Sequence, residues 1–420
     1  MKYLPLMALR SAWNRRLTFG LIALTIALSV TMLLGVERIR NDARTSFSQS
    51  VSGADLVIGA RTSPVQLLLY SVFRMGEATS NMSWQSVEEI SKHPSIAWVI
   101  PLSLGDSHHG FPVLASTSSY FEHYRYGDDL PLELAKGKPF KQLFEAVLGA
   151  EVATHLGYKV GDKIALNHGM QESSLTSHAD KPFVVIGILK ATGTPVDRTV
   201  HISLEAMEAI HVDWLAGGRV PGFNVPVEMV RKFDLEPKSV TALIVGLKNR
   251  ISVFRVQRYV NDYKDEALLA VLPGVALEQL WQVISVFERT LLLVSAMVVI
   301  IGLTGLVAVI LAGLNERRRE LAILRSVGAQ PSAIFMMLVM EGLALTVAGV
   351  LSGLFFLYGL TALFAPYVQA QYGLSIGTTF LSAGEIPFIL AVVVVGLIAS
   401  MLPGYRAYRL SLIDGLTPRT

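Results

Sequence analysis

The chain has 420 residues, of which 52% are hydrophobic and only 16% are charged, and it contains no cysteine. A soluble globular domain has about 25% charged residues, so this composition excludes a wholly soluble protein, a disordered chain and a nucleic-acid-binding protein. The absence of cysteine excludes disulfides, thiolate metal sites and thiol catalysis. The net charge of +3 is the difference between short basic segments and a long middle segment with a small excess of acidic residues.

Four apolar segments are long enough, or nearly so, to cross a bilayer as helices, which takes about 20 residues. We expect these transmembrane segments at 17–36, 290–314, 334–365 and 386–402. Pro366 is expected to end the third segment, and Pro403 is expected to lie beyond the end of the fourth. The first segment is too long for the apolar part of a signal peptide and lacks a cleavage site, so we expect it to be retained.

Lysine and arginine are concentrated in three short flanks of these segments, and such residues favour the cytoplasmic side. The flanks are residues 1–16, the 315–333 loop and the tail 403–420, whereas the 366–385 loop contains no lysine or arginine. Both termini and the 315–333 loop are therefore predicted to be cytoplasmic. The segment 37–289 and the short 366–385 loop are predicted to lie outside.

The segment 37–289 has the mixed strand and helix pattern of a soluble α+β domain. Its two ends, 37–50 and 277–289, are predicted to continue the neighbouring spans as stalk helices. A middle part, about 127–215, is predicted to be an insert subdomain with a strand set of its own. The fold class is therefore an α-helical membrane protein with four transmembrane helices and a large α+β extracytoplasmic domain.

Common catalytic and nucleotide-binding motifs are absent from the sequence. It lacks G-x-x-x-x-G-K-[ST] and H-E-x-x-H, and it lacks G-x-S-x-G. The chain is therefore predicted to be a non-catalytic subunit with no cofactor of its own, and a membrane enzyme is poorly supported.

All nine histidines fall within 37–289, and histidine is the commonest metal ligand. The candidates for a metal site are His108, His109 and His123, although the adjacent pair would point to opposite faces of a strand. No pair has the i, i+4 spacing of a helical site. The sequence therefore identifies no metal site, and solvated or core histidines are the alternative.

Three residues of the third span stand out. Glu341 is an acid within a membrane segment, which is energetically costly and indicates either a proton or ion path or a structural bond. Gly349 and Gly353 form a G-x-x-x-G pair, which lets two helices approach closely. We expect this pair to serve packing within the four-helix unit rather than contact with a second chain.

The 315–333 loop contains the most informative motif, NERRRELAILRSVGAQ at 315–330. A short amphipathic helix is predicted at 320–325, with Leu321 and Leu324 on one apolar face and Gly328 as its C-cap. Such a helix exposes apolar side chains and charges as a docking element for a partner groove would. The alternative, a loop that only holds the chain's orientation, needs arginines but no apolar pattern or glycine stop.

This loop resembles the R-x-E-[IL]-[AG]-[IL]-L-[RK]-[AS]-[IVL]-G-A motif of FtsX-type ATP-binding-cassette permeases, the MacB and LolC/LolE group. The order of one span, a large outer domain and three further spans is similar too. The resemblance implies a mechanotransmission permease of the bacterial inner membrane, with porter-like and Sabre-like subdomains in its periplasmic domain. It also implies a separate ATPase, in two copies, which binds ATP and Mg and docks on the loop. The implied docking residues are Glu316, Arg317, Arg318, Arg319, Glu320, Leu321, Ile323, Leu324, Arg325, Gly328 and Ala329.

The function implied is a permease subunit that couples ATP hydrolysis by its partner to conformational work in the periplasm. Its cargo would be a lipid, lipoprotein, peptide or small molecule that is exported or extracted. Further expected partners are a second permease chain in a homodimer, membrane lipid and a periplasmic protein, but no nucleic acid. One alternative is an FtsX-like signalling scaffold that activates a periplasmic protein. A further alternative is metal-linked transport that uses the external histidines.

Overall fold

The computed structural model describes residues 16–50, 52–169, 177–215, 218–219, 225–316, 318–372, 377 and 381–409. These residues form two compact units. The helical unit contains the described residues up to Asp42, then Ser285–Tyr367 and those from Gly377 onward. The α/β unit contains the described residues of Ala43–Ile284 and the short segment that begins at Val368.

The described residues form the following helices and strands. The helices are α1 (Arg16–Gln49), α2 (Pro64–Ser71), α3 (Trp84–Ser91), α4 (Ser119–His123), α5 (Ala150–Leu156), α6 (Leu204–His211), α7 (Val227–Val230), α8 (Val253–Asn261), α9 (Pro273–Glu316), α10 (Arg318–Ser326), α11 (Pro331–Tyr372) and α12 (Ile386–Arg409). The strands are β1 (Leu56–Ala60), β2 (Met82–Ser83), β3 (Ile96–His108), β4 (Phe111–Ser116), β5 (Arg125–Tyr126), β6 (Leu130–Pro131), β7 (Leu134–Gly137), β8 (Glu145–Leu148), β9 (Lys163–Ile164), β10 (Asn167–His168), β11 (Phe183–Leu189), β12 (Val200–Ser203), β13 (Trp214–Leu215), β14 (Gly218–Arg219), β15 (Ser239–Val240), β16 (Ala242–Leu247) and β17 (Leu268–Val271).

Among the described residues, four helices are long and apolar enough to cross a membrane, namely α1, α9, α11 and α12. Each contains one of the four predicted spans. Two predicted helix ends are wrong, because α11 continues past Pro366 to Tyr372 and Pro403 lies inside α12. Proline is tolerated inside transmembrane helices because neighbouring helices and local adjustments satisfy the freed backbone groups.

Gly349 and Gly353 of α11 pack against α1 within the helical unit. A Cβ atom at Gly353 would lie 2.8 Å from the carbonyl oxygen of Ala27, and one at Gly349 would lie 2.6 Å from the Ile26 side chain. The Thr31 hydroxyl donates a hydrogen bond of 3.0 Å to the Gly353 carbonyl. The glycine pair therefore serves packing within the chain, as predicted.

We expect Gly353→Ala to lower the stability of the helical unit by about 1–3 kcal/mol, the usual cost of overpacking. The new methyl group would press on the backbone of α1, which cannot move aside like a flexible side chain. Gly359→Ala on the same helix is the matched control, because a Cβ at Gly359 has no neighbour within 4 Å. Unfolding of the full chain in detergent measures both variants, and equal midpoints would contradict the packing argument.

The α/β unit is built on an 11-stranded sheet with the order β17-β1-β16-β3-β4-β12-β8-β11-β7, while β9 pairs with β11 and β10 with β3. β7, β8, β11 and β12 belong to the predicted insert, 127–215. Since they continue the same sheet through the parallel β4–β12 pair, the insert does not have a strand set of its own. The sequence could not indicate this pairing because the partner strands are far apart along the chain.

Both faces of the sheet are covered, and each has its own hydrophobic core. Alternation along β1 shows the division, since Leu56 and Ile58 lie in one core and Val57 in the other. The first core packs beneath α3, α5, α6 and α8. The second packs beneath α2 and α4 together with the end of α1 and the start of α9.

The predicted stalks are present as continuous helices. α1 runs unbroken from Arg16 to Gln49, and α9 runs from Pro273 to Glu316. Within the α/β unit these two helices meet where the Phe47 and Trp281 rings contact edge to face, with centroids 5.7 Å apart. The α1 end and the α9 start therefore belong to one packed cluster.

Candidate functional site

The segment between α9 and α11 forms a short helix with a defined end. Gly328 follows α10 with a left-handed backbone, at a φ of 101°. The Gly328 N–H donates to the Arg325 carbonyl at 3.1 Å, and the Ala329 N–H donates to the Leu324 carbonyl at 3.0 Å. This is the Schellman arrangement, which favours glycine because it has no side chain to strain. The predicted glycine C-cap is confirmed.

The apolar side chains of α10 point in two directions. Leu321 is buried in the hydrophobic core of the helical unit, and Leu324 packs against that core. Ile323 and Val327 are instead 59% and 83% exposed. The predicted exposed face of Leu321 and Leu324 is therefore wrong, because these side chains fill their own unit. The apolar surface open to a partner lies at Ile323 and Val327.

The side chains in the charged part of the loop, residues 315–320, lie outside what the structure describes. The predicted docking residues concerned are Glu316, Arg317, Arg318, Arg319 and Glu320. Arg325 and Ala329 are described, and both are half-buried. A docking role for these residues stays a prediction.

Glu341 lies on α11 and is buried inside the helical unit. An acid in a membrane span is expected to face protein rather than lipid, and this position meets that expectation. Its two predicted roles, a structural bond and a proton or ion path, both stay predictions.

A second group of polar side chains converges in the α/β unit. Asp106 lies near the end of β3, directly opposite His168 in the antiparallel β3–β10 pair. Ser177 pairs with Asn167, which places His178 beside the same strand. His211 is the last residue of α6.

The ligand atoms of Asp106, His168, His178 and His211 all lie within 4.8 Å of one another. His168 Nδ1 is 3.0 Å from both Asp106 Oδ1 and His211 Nε2. His211 Nε2 is 3.5 Å from Asp106 Oδ1, and His178 Nε2 is 3.9 Å from Asp106 Oδ2. We call these four residues the histidine–aspartate cluster.

Neighbouring residues hold the rings of His211 and His178 in place. His211 Nδ1 lies 2.8 Å from the Met207 carbonyl one turn earlier in α6. The ring donates this bond through Nδ1, so its Nε2 faces the cluster and would bind a metal once that nitrogen has lost its proton. The Trp214 ring packs on His178, with centroids 4.4 Å apart, and also contacts the rings of His168 and His211.

Burial and neighbouring charges set the protonation of the cluster. Burial alone would raise the pKa of Asp106, but hydrogen bonds from His168 and His211 outweigh it and lower that pKa to about 2. Burial lowers the pKa of His178 to about 4. Burial would also lower the pKa of His211, but the hydrogen bond and charge of Asp106 raise it on balance. Near neutral pH the cluster therefore contains an ionised carboxylate and a neutral His178, the forms in which these groups bind metals.

Comparison with known protein families identifies the chain. The model of the MacB-like periplasmic core domain matches residues 18–262, more than half of the chain, and that of the FtsX-like permease C-terminal domain matches residues 292–412. This chain belongs to the FtsX-like permease family. It is an ABC transporter permease of the FtsX and MacB type, and it is a membrane protein with an extracellular domain.

Individual relatives of this FtsX-like permease are distant. It is 28% identical over 186 residues to the ABC transporter permease YtrF of Bacillus subtilis (strain 168), which is 41% of this chain and 43% of that relative. The chain thus spans less than half the length of the curated relative it matches. The periplasmic region of MacB from Actinobacillus actinomycetemcomitans is similar with a TM-score of 0.35 and 10% identity, over 55% of this chain and 94% of that one. The extracellular domain of the ABC-type transporter YknZ from Gram-positive bacteria has a TM-score of 0.29 and 12% identity, over 52% and 99%.

The three histidines singled out in the sequence do not form a metal site in this FtsX-like permease. His108 is buried, with Nδ1 2.7 Å from the Ala165 carbonyl and Nε2 3.1 Å from the Tyr158 hydroxyl. His123 stacks on Trp98, and His109 is exposed at a turn. These residues are core or surface histidines, so the metal-site candidates were wrong.

The sequence alone does not predict the histidine–aspartate cluster, because its members come from separate segments. Asp106 and His168 are 62 positions apart and meet only through the β3–β10 register. No short spacing motif links the members in the sequence. The only local signal is that His168 and His178 lie ten positions apart, on either side of a polar stretch.

Proposed function

We propose that the chain is the permease subunit of a complex in which a separate ATPase hydrolyses ATP and the outer domain performs conformational work. The complex contains two permease chains and two ATPase chains in the bacterial inner membrane. Both termini and α10 face the cytoplasm, and the α/β unit lies in the periplasm. Membership of the ABC permease family is the observation on which this proposal rests.

The coupling route is proposed from the order of elements along the chain. α10 follows α9, which runs without a break from Pro273 to Glu316. A movement of α10 on ATP binding is therefore passed to α9, whose first turns pack against Phe47 at the end of α1. The exposed pair Ile323 and Val327 supplies the apolar contact on the ATPase.

The work done outside acts on a cargo, which is a lipid, lipoprotein, peptide or small molecule. Export from the periplasm and extraction from the outer leaflet both fit this arrangement, since the cargo need not pass between the four helices. In the alternative, a signalling scaffold, the same movement activates a periplasmic protein. If the chain transports a cargo, a small or lipidic substrate would stimulate ATP turnover. If it is a signalling scaffold, a protein partner would stimulate ATP turnover instead.

The purified chain alone is expected to show no ATP turnover, because its sequence lacks the phosphate-binding loop. Tagged protein purified gently from its native membrane is expected to bring down an ATP-binding-cassette subunit and to hydrolyse ATP. A partner whose phosphate-binding lysine is replaced by alanine is the control, since it should assemble without turnover. ATP hydrolysis by the chain after every other subunit is removed would overturn the proposal.

A further inference from the structure

We propose that the histidine–aspartate cluster binds one divalent transition-metal ion of the zinc type. The site would use one carboxylate oxygen of Asp106 and one ring nitrogen each of His168, His178 and His211, whose ligand atoms lie within 4.8 Å of one another. The geometry of the cluster, its unpaired atoms and the chemistry of its donors support this site. It is independent of the docking role proposed for α10.

Three of the four donor atoms lie at spacings close to those of a tetrahedral site. Zinc bonds to nitrogen and oxygen of about 2.0–2.1 Å that meet at the tetrahedral angle place neighbouring donors about 3.4 Å apart. His168 Nδ1, His211 Nε2 and Asp106 Oδ1 form a triangle with sides of 3.0, 3.0 and 3.5 Å. His178 Nε2 is 3.9 Å from the other Asp106 oxygen. The triangle matches this spacing within about half an ångström, and the remaining donor separations are at most 4.8 Å.

Hydrogen bonding among the described residues leaves the cluster incomplete. Neither ring nitrogen of His178 has a hydrogen-bond partner there, although the side chain is fully buried. The Oδ2 atom of Asp106 is also buried without one. A buried polar group without a partner destabilises the fold. Here two such groups face each other at 3.9 Å, and a shared ligand would satisfy both.

The contacts of His168 Nδ1 also support a bound cation. This atom lies 3.0 Å from both Asp106 Oδ1 and His211 Nε2, yet an imidazole nitrogen has a single hydrogen or lone pair to offer. His211 already contacts the Met207 carbonyl through its other nitrogen, as metal-binding histidines usually do. A cation at the centre would replace the two competing contacts of His168 Nδ1 and would give His178 Nε2 a partner.

Solvent reaches the site on the side of His168 and His211. Asp106 and His178 are buried, whereas the side chains of His168 and His211 are 35% and 24% exposed. An ion can therefore enter from solvent past these two rings and then reach the buried ligands. Four protein ligands leave no open coordination position, which is typical of a binding or structural site rather than a catalytic one.

The donor set selects the class of ion. Imidazole suits zinc, copper, nickel and iron, whereas magnesium and calcium prefer oxygen ligands and larger coordination numbers. Three imidazoles and one carboxylate in a compact tetrahedral group fit zinc best, because zinc has no preference for a square-planar arrangement.

Metal binding is measured on the full chain in detergent, purified without a polyhistidine tag and stripped with a chelator. Zinc titration in competition with a chromogenic chelator is expected to show one tight site per chain, with magnesium and calcium unable to displace the ion. His168→Gln and His211→Gln are each expected to weaken zinc binding by at least about tenfold, since removal of even an outer-shell partner costs 10–100-fold. His155→Gln, an exposed histidine of the same unit, should bind zinc as the unchanged chain does.

Trp214 gives a second readout that is specific for the site, because its ring packs on three of the proposed ligands. Zinc is expected to change the tryptophan fluorescence, and Trp214→Phe should remove this change while retaining the bound ion. Size-exclusion profiles that match the unchanged chain show that each variant is folded. Failure of the folded, stripped chain to bind zinc would overturn the proposal, and so would zinc binding that survives the combined His168→Gln and His211→Gln changes.

Discussion

Ile323→Asp and Val327→Asp are expected to prevent the partner ATPase from binding, or to separate its ATP turnover from any response outside. These two side chains are the exposed apolar surface of α10 and of the residue that follows it. A helix that docks in a groove relies on a few buried anchors, and the loss of one costs about 2 kcal/mol or more, which is roughly a 30-fold loss of affinity. A carboxylate in place of an anchor adds the cost of burying a charge.

Leu321→Asp is also expected to abolish ATPase binding, but for a different reason. Leu321 is part of the core of the helical unit, so a carboxylate there disturbs the folding of the unit itself. A loss of ATPase binding in this variant would therefore not identify a contact. Gly328→Val should displace α10 as well, because a β-branched residue is strained at the positive φ of this position.

Pull-down of the ATPase and ATP turnover measure the docking variants, with unfolding in detergent as the test of an intact chain. Ile251→Asp is the matched control, because Ile251 is an exposed isoleucine of the α/β unit. It should leave assembly and turnover unchanged. Normal assembly and turnover in both Ile323→Asp and Val327→Asp would return α10 to a loop that only orients the chain.

The membrane part of this fold could be predicted because its signals are local. Apolar length identifies the four spans, and a glycine that follows an apolar helix predicts its end, as Gly328 shows. The sequence could not predict which face of α10 is exposed. A helical pattern groups Leu321 with Leu324, but it cannot say whether that face meets a partner or the helices of its own chain.

Non-local pairing accounts for the features that the sequence did not predict. The insert joins the main sheet because β12 pairs with β4, and these strands are separated by most of the insert itself. Asp106 and His168 become neighbours through a two-residue pairing of β10 with β3. Neither pairing has a periodicity or spacing that a single sequence could reveal.

Arg38→Met is expected to lower the stability of the helical unit by about 3–5 kcal/mol, the usual cost of breaking a buried ion pair. Arg38 of α1 and Glu385, just before α12, are 3% and 0% exposed, with Nε and Oε1 3.6 Å apart. Removal of the arginine leaves the carboxylate buried without this cation. The Arg38 guanidinium also lies 5.0 Å above the Tyr358 ring, so a packing contact is lost too.

Arg44→Met is the matched control, because Arg44 lies on the same helix and forms an ion pair of the same length. Its partner is Glu278 at 3.6 Å, but the two side chains are 59% and 58% exposed. Exposed pairs contribute under about 1 kcal/mol, since water screens the charges. Unfolding of the full chain in detergent should therefore separate the two arginine variants clearly.

The double variant Arg38→Met with Glu385→Met distinguishes a lost ion pair from a lost arginine. With both charges gone, Glu385 no longer leaves an uncompensated carboxylate, and replacement of a buried pair by apolar residues is often neutral or stabilising. We therefore expect the double variant to recover most of the stability lost in Arg38→Met. A double variant less stable than Arg38→Met, or an Arg38→Met loss as small as that of Arg44→Met, would show that this pair does not hold α1 to the start of α12.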